Sequence, residues 1–194
     1  MDLKDAIYGR RSIRKFTDQP ISDEDIKEIM EAGTMAPSGM NMQPWHFVAI
    51  KNPDALNELK GFISAGIGSF SAQLEKRFPT HPEVVKETSS FVETLGGAPF
   101  CVLAFIRKPD YSTSVSTITQ SVAAAIENML LTAYSKGIAS CWLTAPNEAG
   151  AAPAIHERFA PDKGDFVALV TFGYPAMEAK APKRHNDDRI EYIF

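Results

Sequence analysis

The residues from Ser116 to Gly137 read STITQSVAAAIENMLLTAYSKG and predict a long helix. Their apolar positions recur every three or four residues, which places them in one stripe along a helix. Four alanines widen this stripe, and Gly137 is a typical residue to end a helix. A helix with so broad an apolar face is expected at the centre of the fold. The stripe comprises Ile118, Val122, Ile126, Met129, Leu130 and Ala133.

Helical and strand-like segments alternate on both sides of this helix, without repeats or a linker. Apolar runs typical of strands lie at residues 45–50, 98–106, 138–143 and 166–175. Helical patterns lie at residues 22–37, 52–63, 82–97 and 148–159. Glycines and prolines interrupt residues 64–97, which we interpret as a lid or an excursion from the core. The pattern predicts one α/β or α+β domain over residues 1–194.

Composition limits the functions that this chain can have. Lys and Arg (20) against Asp and Glu (24) give a formal net charge of -4, which argues against binding nucleic acid or a membrane surface. The start of the chain lacks a signal-peptide pattern and no apolar run is long enough to span a bilayer, so we expect a cytoplasmic protein. Cys101 and Cys141 lie in apolar stretches without a metal-binding spacing, and we interpret both as buried side chains.

The stretch GRRSIRKF, residues 9–16, concentrates positive charge in an acidic chain. If it is extended, Arg10, Ser12 and Arg14 lie on one side; if it continues a helix, Ser12 points away from the arginines. Guanidinium groups suit phosphate because they stay charged and present paired N–H donors, and a hydroxyl adds a further donor. The extended form therefore favours an anion site. The alternative is a solvated turn whose arginines pair with the acidic residues at positions 2, 5 and 18.

The stretch APSGMNMQPW, residues 36–45, follows a predicted helix and is bracketed by prolines. Asn41 and Gln43 are two residues apart, so in an extended segment both amides face the same way. A side-chain amide carries a donor and an acceptor, which suits the edge of a planar heterocycle. We interpret the segment as a stiff wall of a ligand site, with an ordinary loop as the alternative.

Two later stretches complete the set of candidates. In GIASCWLTAPNEAG, residues 137–150, the small residues Thr144 and Ala145 follow a short strand and would let backbone N–H groups approach a flat ligand. Lys183 and Arg184, followed by His185, either complete an anion site or lie on a solvated surface. The final residues, RIEYIF, alternate with a period of two, which predicts an extended tail that pairs with another strand.

Together these stretches resemble the nitroreductase family of FMN-dependent NAD(P)H oxidoreductases over nearly the whole chain. The resemblance rests on an RRSxR-like motif at residues 10–14, an EAxxxAPSxxNxQPWxF-like motif at 31–47, a long helix running into GxxSCW, and a late basic pair. It implies an α+β fold with a mixed, mostly antiparallel sheet flanked by helices. It also implies a homodimer with exchanged C-terminal tails.

The resemblance further implies that FMN is the bound cofactor. The RRSxR residues and the late basic pair would hold its phosphate and ribityl chain, the PSxxN segment of a partner subunit would line its ring, and the loop after GxxSCW would approach its reactive nitrogen. Many relatives have Glu-Gly or Gly-Gly at the position of Thr144 and Ala145. The implied FMN-binding residues are Arg10, Arg11, Ser12, Arg14, Pro37, Ser38, Gly39, Asn41, Gln43, Leu143, Thr144, Ala145, Lys183 and Arg184.

The implied activity is ping-pong hydride transfer from NADH or NADPH, through FMN, to a nitroaromatic, a quinone or a similar small acceptor. Because the flavin supplies the chemistry, we expect no catalytic side chain and no metal. Two alternatives stay open. One is another flavin reaction on the same fold, such as enone reduction, dehalogenation or fragmentation of the flavin; the other is a flavin-binding module without turnover.

Overall fold

A computed structural model of the chain describes residues 1–108, 114–184 and 189–194. The four strands in these parts are β1 (Trp45–Ile50), β2 (Phe100–Ile106), β3 (Ala139–Leu143) and β4 (Phe166–Gly173). The helices there are α1 (Leu3–Gly9), α2 (Asp23–Thr34), α3 (Pro53–Ser64), α4 (Ile67–Arg77), α5 (Pro82–Thr94), α6 (Val115–Ser135), α7 (Ala145–Glu148) and α8 (Ala152–Phe159). The four predicted strands and the long predicted helix are confirmed.

The strands form one sheet in the order β1-β2-β4-β3, and every pair of neighbours is antiparallel. Strand β2 is buried along its whole length, as its continuous apolar sequence predicts. One parallel bridge, between Ser12 and Ser140, adds the segment after α1 to the free edge of β3. The expectation of a mostly antiparallel sheet flanked by helices is confirmed.

The core has two parts, one on each face of the sheet. Alternate residues of β2 enter the two parts, because successive side chains of a strand point to opposite faces. Helix α6 covers one face. The six residues of its predicted stripe are all buried, and all except Ile118 belong to that part of the core. Helices α3, α4, α5 and α8 contribute to the other face. On the α6 side of the sheet, α2 packs against α6. The opposite side holds α4 and α5, which line the larger cleft described below.

Helix α2 is fastened to α6 by a polar contact at the end of α6. Lys136 Nζ lies 2.9 Å from Asp25 Oδ1 and 2.5 Å from Glu28 Oε2. These contacts raise the pKa of Lys136, and the hydrogen bond from Lys136 lowers the pKa of Asp25. Closer to the middle of α6, Asn128 Nδ2 donates to the Ala32 carbonyl at 3.1 Å. The ion pairs are solvent-accessible, so burial of the apolar stripe contributes most of the stability of this helix pair.

One expectation is corrected. The helix expected over residues 148–159 begins only at Ala152, as α8, because Gly150 adopts a φ of 72° and Pro153 lies in the first turn of α8; Glu148 is the last residue of the separate helix α7. Residues 64–97, which had no clear pattern beyond one short helix, form α4 and α5 and the turn that follows them. The cysteines meet expectation, since Cys101 and Cys141 are both free and buried.

The last residues, 189–194, lie outside any strand in this single chain and are exposed. Their expected pairing with a second subunit is therefore not tested. His185 lies outside the described residues. No helix in the described part of the chain is both long enough and apolar enough to cross a membrane.

We predict that Gly66→Ala destabilises the protein whereas Gly68→Ala does not. A Cβ on Gly66 would lie 1.7 Å from the Ala149 carbonyl oxygen, so the start of α4 or the α7 loop must shift, at a cost of about 1–3 kcal/mol. A Cβ on Gly68 meets no atom within 4 Å, and alanine favours a helix by up to about 1 kcal/mol. Urea unfolding of both variants measures the difference. Equal losses of unfolding free energy would contradict the close contact.

Candidate functional site

The basic segment leaves the first helix, as an anion site requires. Helix α1 ends at Gly9, and Arg10 already has extended backbone angles, with φ -55° and ψ 136°. The Ile13 N–H then donates to the Ser140 carbonyl at 3.0 Å and holds the segment along β3. The extended form of residues 10–14 is therefore confirmed.

The charges of Arg10 and Arg14 and the hydroxyl of Ser12 all act on the thiol of Cys141 in β3. Burial raises the pKa of the Cys141 thiol, while the charges of Arg14 and Arg10 and a hydrogen bond with Ser12 act in the opposite direction. The three side chains are thus close enough to one sulfur atom to influence it. Within the described residues, none of the ion pairs joins these arginines to the acidic residues at positions 2, 5 or 18. The salt-bridged turn that the sequence left open is therefore wrong for these partners.

The two neighbouring arginines differ in how far they are already engaged. Arg11 Nη1 donates to the Tyr8 and Arg10 carbonyls, both at 2.7 Å, and so closes the end of α1. Arg10 Nε lies 3.4 Å from Glu127 Oε1, but it is buried and makes no aligned hydrogen bond. Arg10 consequently keeps donor capacity for a ligand, whereas Arg11 is partly used by the backbone.

Two clefts adjoin the basic segment, and the larger of them, about 1320 Å³, brings Arg14 together with the segment after β3. Leu143, Thr144 and Ala145 line the same cleft, so two of the predicted motifs meet in it. Thr144 is exposed and Ala145 is half-buried, so both are accessible in the cleft that Arg14 lines.

Helices α4 and α5 also line this cleft, and sequence reasoning did not assign them to the site. Phe70, Phe78 and Phe91 give this part of the lining an aromatic character, while Arg77 and Lys86 add charge. A signal was present in the sequence. Ile67, Phe70 and Leu74 have the spacing of a helix, although the flanking glycines and prolines obscured it.

The smaller cleft, about 490 Å³, lies at the other end of the basic segment. Arg10 and Arg11 line it, and so does Ser140, whose buried Oγ has no hydrogen-bond partner. Met177 lines both clefts. Arg10 and Arg14 are four residue steps apart along an extended segment, or about 13 Å. The predicted set of arginines is therefore distributed along an elongated surface and does not surround one point.

The segment at residues 37–43 is not extended, which corrects the expectation. Residues Gly39–Asn41 form a short 3₁₀ turn, and Met40, Asn41 and Gln43 have φ values of 52°, 52° and 47°. The Gln43 amide donates to Asn41 Oδ1 at 3.2 Å, and Ser38 Oγ accepts from the Gln43 N–H. The two amides are still adjacent, but through a left-handed turn. Such backbone strain is concentrated at functional sites in proteins.

Within one chain this turn does not reach either cleft. Pro37, Ser38, Gly39, Asn41 and Gln43 are absent from the lining of both. The Gly39 N–H points to Ser121 Oγ of α6, at 3.4 Å. Glu127, the neighbour of Arg10, lies six residues further along α6 and about 120° around its axis. Lys183 and Arg184 are exposed and line neither cleft.

A family model described as the nitroreductase family matches residues 7–174. The chain belongs to this family. It is 31% identical over 188 residues to an Archaeoglobus fulgidus protein whose name refers to NADH dehydrogenase and NAD(P)H nitroreductase, with 95% of this chain and 93% of that protein covered. It is 25% identical over 185 residues to an iodotyrosine deiodinase of Nematostella vectensis, with 91% of this chain and 68% of that protein covered.

A solved structure supports the family's fold for this chain. A nitroreductase with bound FMN from Bacteroides fragilis superposes with a TM-score of 0.71 at 26% identity, and the match covers all of both chains. The matched residues 7–174 include the end of α1, the basic segment, the sheet and the loop after β3.

We predict that Arg14→Gln raises the pKa of Cys141, because it removes a positive charge that favours the thiolate. Lys15→Gln is the matched control: Lys15 also lines the larger cleft, but it is not among the groups that act on Cys141. The pH dependence of alkylation of Cys141, followed by mass spectrometry, gives the pKa. A pKa that is equal in the Arg14 variant and the unchanged protein would place Arg14 away from β3.

Proposed function

We propose that the protein is an FMN-dependent NAD(P)H oxidoreductase. The observation that carries the proposal is the extended segment from Arg10 to Arg14, which connects a cleft containing a partnerless Ser140 hydroxyl with a second cleft beside Leu143–Ala145. An elongated ligand with an anion at one end and a flat ring at the other fits this arrangement. FMN is such a ligand.

The smaller cleft fits the phosphate end. Arg10 has a buried Nε without an aligned hydrogen bond, and Ser140 has a buried Oγ without a partner. Leaving such groups unpaired costs free energy, which a phosphate oxygen recovers by accepting from them. Ser12 lies between Arg10 and Arg14 in the sequence and adds a hydroxyl. In this assignment Arg11 contributes mainly positive charge, because its Nη1 already donates to the end of α1.

The larger cleft fits the ring end. Arg14 is a permanent cation, and Thr144 and Ala145 leave the backbone exposed for contacts with the edge of a ring. Bound FMN supplies the hydride chemistry there. Arg14 would stabilise negative charge on a bound flavin ring, and the side chains of α4 and α5 would exclude water from it. No side chain of the cleft is needed as a nucleophile or an obligatory acid.

The same cleft serves both substrates in turn. The part of the cleft that the ring does not fill would admit NADH or NADPH first and, after the oxidised nicotinamide leaves, an electron acceptor. The aromatic wall formed by Phe70, Phe78 and Phe91 suits flat acceptors such as nitroaromatics and quinones. Removal of a halogen from an aromatic ring is the second candidate, favoured by the 25% identity to an iodotyrosine deiodinase.

A homodimer completes the site in this proposal. The turn at residues 37–43 lines neither cleft of its own chain, so it would act on the ring bound by a partner. Large apolar side chains are exposed in and next to the turn, with Met35 at 70% and Met40 at 79%. Exposed apolar groups of this size favour an interface. Lys183, Arg184 and the C-terminal tail would then approach the phosphate and the partner.

We predict that the purified protein is yellow and that NADH or NADPH bleaches it anaerobically. A nitroaromatic or a quinone should restore the colour, and the two half-reactions should occur separately, as a ping-pong mechanism requires. Stopped-flow absorbance measures both. A colourless protein that takes up no FMN would refute the proposal, and bound FMN that neither nicotinamide reduces would favour a binding module.

We predict that Arg10→Ala and Arg14→Ala each weaken FMN binding by about 1.5–3 kcal/mol, because each removes charge-assisted hydrogen bonds. Arg107→Ala is the control, since Arg107 is exposed and lines neither cleft. Fluorescence titration of the flavin-free variants gives the affinities, and circular dichroism confirms folding. Unchanged FMN affinity in both Arg10→Ala and Arg14→Ala would contradict the assignment of the phosphate end and the ring end to the two clefts.

A further inference from the structure

Arg14 is held by an aromatic ring, and it has no acidic partner among the residues that the structure describes. Its guanidinium carbon lies 6.0 Å from the centroid of the Phe91 ring of α5, and no ion pair in the described residues includes Arg14. A guanidinium over the face of a ring at this distance is a cation–π contact. Phe91 itself is only 6% exposed, so its ring is fixed by the core.

Gly96 brings the backbone of the turn after α5 into contact with the same arginine. A Cβ on Gly96 would lie 2.4 Å from the Arg14 carbonyl oxygen and 3.1 Å from Cδ2 of Phe91, and the φ of Gly96 is +63°. Any other residue would therefore clash with the Arg14 backbone and strain its own. The Phe16 N–H donates to the Gly96 carbonyl at 2.9 Å, which fastens the turn to the basic segment.

The turn is in addition fixed to α5. Thr94 Oγ1 donates to the Ser90 carbonyl at 2.6 Å and accepts from the Gly96 N–H at 3.3 Å. Leu95 is fully buried and has a φ of 54°. The end of α5 and the backbone of Arg14 are thus joined as one unit, with the Phe91 ring under the guanidinium.

We propose that Phe91 and Gly96 are positioning residues that fix the Arg14 guanidinium toward the larger cleft and thereby set the reduction potential of the bound flavin. This inference rests on the proposed function. Neither residue needs to touch the flavin. Both act through Arg14. A guanidinium that is held in one place stabilises a reduced, anionic ring more than a guanidinium that moves freely in solvent.

The coupling between Phe91 and Arg14 provides the test. The relative affinities for reduced and oxidised FMN, obtained from the potential in an anaerobic dye titration, are compared in four proteins. We expect Arg14→Gln to reduce the preference for reduced FMN about tenfold, which is about 30 mV for a two-electron couple. We expect Phe91→Leu to reduce it about threefold, or about 15 mV. The double variant should match Arg14→Gln, since the ring acts only through the arginine.

Two variants separate positioning from a loss of stability. Phe91→Tyr keeps the face of the aromatic ring, so its reduction potential should equal that of the unchanged protein. Phe166→Leu makes the same change at a residue that is 7% exposed in the same core but lines neither cleft, and it should leave the potential unchanged. The proposal is overturned if Phe91→Leu leaves the potential unchanged or lowers it equally with and without Arg14.

The inference is also testable in flavin-free protein, which distinguishes its failure from failure of the proposed function. The Arg14 charge lowers the pKa of Cys141 against the effect of burial. If Phe91 holds Arg14 in place, Phe91→Leu raises that pKa and Phe166→Leu does not, as measured by alkylation across a pH series. A protein that binds no FMN yet shows this shift contradicts the proposed function alone. An unchanged Cys141 pKa in Phe91→Leu overturns the positioning role.

Discussion

The backbone hydrogen bond from Ile13 to Ser140 is the contact on which the site depends. It lies just beyond the end of α1 and adds the basic segment to the edge of β3. The side chains of Arg10, Ser12 and Arg14 therefore follow one another along one side of an extended segment. Without it, the arginines would be free to follow the helix and spread around its axis. With it, Arg10 and Arg14 lie at opposite ends of one extended surface, next to two clefts.

The rest of the fold supports that edge strand from both sides. The long helix α6 packs on one face of the sheet and also carries Glu127, which lies beside Arg10. On the other face, the turn after α5 contacts the backbone of Arg14 and of Phe16. The same elements therefore serve the core and the site, and the helices that enclose the larger cleft are connected to the cation that the proposal places beside the ring.

Sequence reasoning located the strands, the long helix and the extended basic segment because each has a strong local signal. The apolar run of β2 and the alanine-rich stripe of α6 are periodic, and α1 ends at a glycine followed by arginines. It was wrong where distant contacts decide the conformation. The turn at Met40 and Asn41 is left-handed although neither residue is glycine, and α4 became clear only through its packing on α5.

The sequence by itself determined the family, the antiparallel sheet with its helices and the residues that carry charge, since periodicity and motif spacing are properties of the chain. Only the tertiary structure decided that these charges are divided between two clefts, that Phe91 and Gly96 lie against Arg14, and that residues 37–43 line neither cleft. The physical reason is that these facts depend on contacts between residues about 80 or more positions apart. Local backbone preference carries no information about which of those contacts form.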